Sequence, residues 1–380
     1  MRRFSKRWFQ LATWIVPVFW ASATLACNVP VFRYALERWE ADRFQIFVFH
    51  NESLNTEQEA ILAPIEKAQQ DGLANIEVIR INLEQEMPGS VRALWDAQEH
   101  PTQPWMVVRY PKQTGIERSV WTGPLGAKAV DSLIESPARR EIAQKLSNGD
   151  AIVWLLLGGD DPKRNENAES LLKTELGKLE KSLVLPERSP TDPPINPDLP
   201  LKIAFSIVRL SRSDPAEHML LDILLNWNPN LIAAREPLLF PIFGRGRVIP
   251  PAMGDQIRPE AIREMAEFLT GPCSCEVKEL NPGYDLLLAK NWNTLPGYQE
   301  ILVAPPPPLV GISEFAAEAT THSTDAPSKT NILTAAPGAQ PAGIGRDRLW
   351  RNLVVVLCAG LAFLVVSTLA LKIRSGRRPR

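Results

Sequence analysis

Between residues 28 and 300 the apolar runs follow one order twice, and that duplication confines the chain to two copies of a mixed α/β unit. In the first copy, FQIFVFH (44–50) is a continuous apolar run of strand length, and residues 57–70 carry Ile61, Leu62, Ile65 and Ala68 at helical spacing. IEVIRINL (76–83) reads as a strand, 90–98 as a helix, WMVVRYP (105–111) and IERSVWTG (116–123) as two strands, and 127–136 as a helix. The second copy repeats this β-α-β-α-β-β-α order. AIVWLLLGG (151–159) is a strand, 165–183 a helix, LKIAFSIVRL (201–210) a strand, and 215–227 a helix opened by the cap pair Ser213-Asp214. PLLFPIFGRGRVI (237–249) then turns as a hairpin near Gly244 and Gly246, and 259–269 closes the copy as a helix. Pro104 stands just before the third strand of the first copy and Pro237 before that of the second; Gly123 and Gly254 follow them by nineteen and seventeen residues.

The ends of the chain give it an address. Arg2, Arg3, Lys6 and Arg7 precede an apolar run that closes on the small residues of ASATLA (21–26), the layout of a secretory signal peptide over 1–26. LVVVLCAGLAFLVVSTLAL (353–371) is nineteen residues without a charge, enough to cross a hydrocarbon core of about 30 Å. A transmembrane helix is therefore expected over 350–372. The tail 373–380 carries Arg374, Arg377, Arg378 and Arg380, and this basic excess places it in the cytoplasm and the rest of the chain outside. Residues 304–347, rich in Pro, Ala and Thr, read as a flexible stalk. The prolines of PERSPTDPPINPDLP (186–200) read as a linker. What remains is two folded segments, 28–145 and 150–300, the second with a C-terminal extension. A formal net charge of -1 and the lack of a basic stripe with interleaved aromatics give no case for nucleic acid.

The order β-α-β-α-β-β-α, with Gln103-Pro104-Trp105 entering the third strand and a glycine closing the hairpin, resembles the thioredoxin fold over 28–140 and again over 150–270. The resemblance implies two tandem thioredoxin-like domains, with Pro104 and Pro237 at the positions where that fold has a cis proline. It does not carry over the fold's chemistry. Where thioredoxins place Cys-x-x-Cys, this chain has His50-Asn51-Glu52-Ser53 in one copy and Gly158-Gly159-Asp160-Asp161 in the other, so neither supplies a nucleophilic thiol. With its CNVPVFRYALERW-type start and GPCSC-type motif, the whole chain is similar to bacterial membrane-anchored extracytoplasmic proteins, a resemblance that implies an address and no activity.

Cysteine chemistry rests on three of four residues, because Cys358 lies in the apolar run as a small apolar side chain. Cys27, Cys273 and Cys275 are an odd number for an oxidising compartment, so at least one is free, modified or bonded to another chain. Cys27 is open to three readings: a lipidated N-terminus after cleavage, a structural thiol leading into the helix-like VFRYALERW (31–39), or a partner for Cys273 or Cys275. Lipidation departs from the usual motif, since Thr24 stands where Leu is expected. Cys273-Ser274-Cys275 can be half of a structural bridge, a small strained redox pair, or, with Cys27, a soft thiolate set for Cu(I) or Zn. His50, His100, His218 and His322 are scattered and complete no ligand set.

Other motifs are weaker. Gly244-Arg245-Gly246-Arg247 fits a tight hairpin better than a nucleotide cradle, and Asp160-Asp161 with Glu166 and Glu169 fits an acid-enriched helix start. Trp105, Trp121 and Trp154 alternate within strands as packing residues. No motif implies a cofactor. The balance favours a membrane-anchored extracytoplasmic binding or scaffolding protein over an enzyme, with the membrane and a protein as partners. Two rival readings use the cysteines: an envelope thiol-disulfide oxidoreductase working through Cys273 and Cys275, and a soft-metal accessory.

Overall fold

The computed structural model describes residues 28–99, 101–272, 278, 281 and 283–297. The signal-peptide segment, the stalk, the apolar run with its basic tail, all four cysteines, His100 and His322 lie outside the described residues. Among the described residues no helix is long and apolar enough to cross a membrane.

The protein is mixed α/β with two sheets. The first contains β1 (Phe44–His50), β2 (Ile76–Asn82), β3 (Trp105–Arg109) and β4 (Ser119–Pro124) in the order β2-β1-β3-β4. β1 runs parallel to β2 and antiparallel to β3, and β4 is antiparallel to β3. A run that is apolar but for Gln45 and His50 makes β1 central, buried on both faces apart from His50. The second sheet runs β10-β8-β7-β5-β6, from β5 (Ile152–Leu157), β6 (Phe205–Leu210), β7 (Leu238–Phe243), β8 (Arg247–Val248) and β10 (Tyr284–Asp285), with β9 (Ala252–Met253) on β7. β5 is parallel to β6 and antiparallel to β7, the pairing of the first sheet over again.

The helices are α1 (Val31–Arg38), α2 (Thr56–Gln70), α3 (Gly89–Asp96), α4 (Ala127–Ile134), α5 (Pro137–Ser147), α6 (Pro162–Ser182), α7 (His218–Leu225), α8 (Pro229–Ala233) and α9 (Pro259–Thr270). Local chemistry sets their ends. Asn55 and Gln58 form a reciprocal capping box at α2, and Asp161 accepts from Lys163 N at 2.9 Å to cap α6. The helix expected over 127–136 stops at Ile134 because Ser136, ahead of Pro137, is extended (φ -147, ψ 161) and a new helix starts on that proline. The third strand ends at Arg109, short of Pro111, which has no N–H to give to a ladder. Gly244 and Gly246 turn the β7–β8 hairpin at φ 60 and 97, as the sequence leads one to expect.

The two ends of the described chain are exchanged between the halves. α1 precedes the first sheet in sequence yet packs in one cluster with Trp154, Phe243 and Leu269 of the second half. Gly244 lets the backbone lie against it, since a Cβ there would meet the Ala35 side chain at 2.6 Å. In return, residues 286–291 run back to the first half. Asn75 Nδ2 donates to Leu286 O at 3.0 Å and to Asp42 O at 2.8 Å, while Leu288 N donates to Asn75 Oδ1 at 3.0 Å.

Between the sheets the core is continuous, joining Phe44, Ile46 and Val108 to Leu155, Phe240 and Leu224 in one cluster. Several polar groups in this joint are paired, while Trp227 Nε1 is buried with no hydrogen-bond partner. The Tyr110 and Tyr284 hydroxyls donate to Ile223 O at 2.8 and 3.1 Å. Glu217 accepts from Ser136 Oγ and Ala138 N at 2.6 Å each, in place of a cap from Ser136 itself. Arg139, 1 % exposed, donates to Leu133 O and Leu287 O at 2.9 and 3.3 Å, and burial pushes its guanidinium down to about 10.

The proline-rich run 186–200 is a packed strap where the sequence reads as a linker. Arg38 donates to Pro194 O at 2.7 Å, and Asn196 N donates to Glu37 Oε1 at 2.9 Å. Arg33, fully buried, donates through Nη2 to Asn196 O and Leu199 O at 2.7 Å each. Extended proline-rich chain cannot satisfy its carbonyls internally, and α1 brings the donors.

Candidate functional site

Three places in the fold collect the chemistry that the sequence singles out: the loops after β1 and β5, and the region where 278–285 meets the start of β1. Phe49 pairs with Trp105, so the antiparallel register continues from His50 toward Pro104, and His50 pairs with Asn82 on the other side. The Gln103–Pro104 peptide is cis. His50 Nδ1 stands 2.9 Å from Glu52 O, within hydrogen-bond distance of that carbonyl. Asn51, Glu52 and Ser53 are exposed. The result is an open polar rim with no thiol, backed by Phe49, Trp95 and Trp105 on the α3 side of the sheet.

The corresponding loop of the second half is closed by backbone. A Cβ on Gly159 would lie 2.4 Å from Arg235 O, 2.6 Å from Glu236 C and 2.8 Å from Pro237 N. Asp160 N donates to Arg235 O at 2.9 Å, and Asn165 bonds both the N–H and the carbonyl of Gly159 at 2.8 and 2.9 Å. Pro237, the position matched to Pro104, lacks its cis bond: among the described residues the cis peptide is at Gln103–Pro104. Its carbonyl accepts instead from Gly254 N at 2.9 Å, holding the segment flat over Gly159. The two copies therefore differ where the resemblance makes them alike.

The third place was not legible as a site. Lys278 Nζ lies 2.9 Å from Asp42 Oδ1 and 2.5 Å from Asp285 Oδ2, and donates to Glu40 O at 2.5 Å. Arg247 donates to Asn281 O at 2.7 Å, lies 3.3 Å from Asp285 Oδ1, and holds its guanidinium 5.8 Å from the Trp39 ring centroid. With Arg245, whose Nε donates to Leu36 O at 2.8 Å, these groups line a small cleft beside α1. Lys278, Arg247, Asp42 and Asp285 partner one another, which makes the cluster a clasp between β10, β8 and the entry to β1. Of its charged members the sequence reading singled out Arg245 and Arg247, as part of a tight hairpin.

Asp42 and Glu37 both sit above the ordinary carboxylate range. Burial is the main cause for each; the Asp285 charge adds to it at Asp42, and outweighed pulls come from Lys278 and Arg33 respectively. A carboxyl raised in the folded state contributes stability that is complete below its unfolded pKa and is lost as pH rises through the folded one. Half-buried Glu59 and Glu169, lowered by hydrogen bonds from Arg80 and Lys173, act in the opposite sense, so the comparison needs a variant. The stability of wild type relative to Asp42→Asn should rise as pH falls from neutral toward the ordinary carboxylate range. Parallel pH–stability curves from urea unfolding would contradict this placement of Asp42.

Cys27, Cys273 and Cys275 lie outside the described residues, but the chain leading to them does not. Pro30 pairs with Pro272 in an antiparallel bridge, and Val31 N donates to Gly271 O at 3.0 Å. The lead to Cys27 and the lead to Cys273 thus run side by side. His50 and His218 are far apart in the fold's order, on β1 and α7, and among the described residues no group of three or more His, Cys, Asp or Glu is placed to hold a metal. Trp154 is core, and Trp105 and Trp121 are half-buried. Neither the protein-family models nor the curated proteins compared with this chain match it.

Proposed function

We propose that the chain is a membrane-anchored extracytoplasmic binding or scaffolding protein, built on two thioredoxin-like units without that fold's exchange thiols. One observation carries the reading. After half-buried His50 at the end of β1, Asn51, Glu52 and Ser53 form an exposed rim, while the loop after β5 is shut by the backbone at Arg235 to Pro237. The β2-β1-β3-β4 order, with one parallel pair, supports the likeness of the first unit, and the same pairing around β5 supports that of the second. The apolar run 353–371 and its basic tail supply the anchor and the orientation. A rigid two-sheet body with one open rim suits contact with a protein partner better than turnover.

The test is a photoreactive residue in place of Asn51 in the full chain, irradiated in intact membranes. A discrete protein adduct is expected at 51, absent when the probe replaces exposed Lys181, and unchanged when Cys27, Cys273 and Cys275 are all Ser. An adduct that needs the cysteines, together with turnover of a disulfide peptide lost in Cys273→Ser, would replace this reading with the oxidoreductase.

A further inference from the structure

We propose that the strap face of the second half, with Val184 and Phe268 at its edge, is a lipid-docking surface through which the body rests on the bilayer that anchors the chain. This rests on the membrane anchor of the reading above and not on its protein partner. Asn28 and Gly297 are the first and last described residues, and the strap holds the chain beside both. Asn28 N donates to Asp192 Oδ1 at 2.9 Å, and Asn196 Nδ2 donates to Pro296 O. The four residues from Asp192 to Asn196 span at most about 14 Å, so the chain enters and leaves the body through one small area. The two uncharged apolar runs of the sequence lie beyond these points: 9–26 ends two residues before Asn28, and 353–371 follows Gly297. The strap is thus where membrane attachment from either end takes hold of the body.

The surface beside it is apolar without a packing reason. α6 ends at Ser182, and Leu183 is extended at ψ 141. Extended chain turns successive side chains to opposite sides. Leu183 and Leu185 accordingly pack on the cluster of Val29, Val31 and Leu269, while Val184 between them is 88 % exposed. Phe268, 42 % exposed, lies on the last turn of α9, three residues before Gly271, whose carbonyl accepts from Val31 N at 3.0 Å. The exposed charges around Val184 are of both signs, Lys181 and Arg188 among Glu180, Glu187 and Asp198, so no single-sign patch selects anionic headgroups. That chemistry fits the boundary layer of a zwitterionic bilayer, where buried apolar area supplies the attraction. α6 also defines the opposite pole. It begins at Pro162, just past the closed loop at Gly159, and its 21 residues span about 30 Å. Ile232, 41 % exposed, stands at that far pole, three residues before Arg235, whose carbonyl accepts from Asp160 N at 2.9 Å. Docking through the strap turns that pole away from the membrane.

The experiment places a photoreactive residue at 184, 268 or 232 of the full chain reconstituted in phosphatidylcholine vesicles, and reads lipid adducts by mass spectrometry after irradiation. Adducts are expected at 184 and 268 and absent at 232, an apolar control as exposed as Phe268. Val184→Asp should cut the yield at 268 several-fold and leave the thermal midpoint unmoved, because the side chain it replaces is mostly in solvent. No lipid adduct at 184 and 268, equal yields at all three sites, crosslinked dimers in place of lipid adducts, or a yield at 268 untouched by Val184→Asp would each overturn the docking face alone. A chain that alkaline carbonate washes off the vesicles would overturn the anchor with it, which separates failure of that reading from failure of this one.

Discussion

Replacing Arg33 with Ala is expected to lower the unfolding free energy by about 3 to 5 kcal/mol, the cost of removing one partner from a buried charge pair. Arg33 is 0 % exposed and lies 2.5 Å from Oε1 of Glu37, a residue that is 3 % exposed. The same guanidinium serves the carbonyls of Asn196 and Leu199 at 2.7 Å and of Pro200 at 3.5 Å. Burial lowers Arg33 and raises Glu37, so each charge is tolerated through the other. Truncation would strand Glu37 and three carbonyls together. The paired replacement Arg33→Met with Glu37→Leu should recover much of the loss, because it removes both buried charges. Urea unfolding followed by tryptophan fluorescence measures both, and a loss below about 1 kcal/mol for Arg33→Ala, the scale of an exposed pair, would contradict the buried network.

The second large effect is expected at Gly159. Alanine there would put its Cβ 2.4 Å from Arg235 O, and the obstacle is backbone, not the tip of a side chain. That backbone is held by Asp160 N on one side and by the Gly254 N–H on Pro237 O at 2.9 Å on the other, so it cannot retreat cheaply. Overpacking of this kind costs about 1 to 3 kcal/mol and sometimes more. Gly177→Ala is the internal control. It sits inside α6 with nothing within 4 Å of the added Cβ, and the change should stabilise by about 1 kcal/mol. Equal effects of the two substitutions on the unfolding midpoint would show the second loop to be open. The same clash excludes a cysteine at 159.

The alternation of strands and helices was legible because each central strand is a mostly apolar run and the two longest helices carry their own side-chain caps. FQIFVFH became β1 with the expected bounds, and IVWLLL became a strand with every residue buried. The split at Ser136-Pro137 was written in the sequence as a cap and a first-turn proline, but a continuing apolar pattern masked it. What a local reading could not supply was long-range. Lys278 and Glu40 stand 238 residues apart, and nothing near either residue signals the other. The strap at 186–200 failed for a related reason: proline content reports stiffness, and whether a stiff segment is free depends on donors that α1 delivers from far upstream.

The exchange of ends sets an order of assembly. A chain delivered from its N-terminus presents α1 long before the second sheet that covers it, and completes the first sheet before Leu286 and Leu288 arrive to satisfy Asn75. Such contacts close loops of more than two hundred residues, and these form late. Each half must therefore wait, with apolar surface uncovered, until the other has emerged. A carrier that shields α1 during that interval would speed maturation without touching the finished protein.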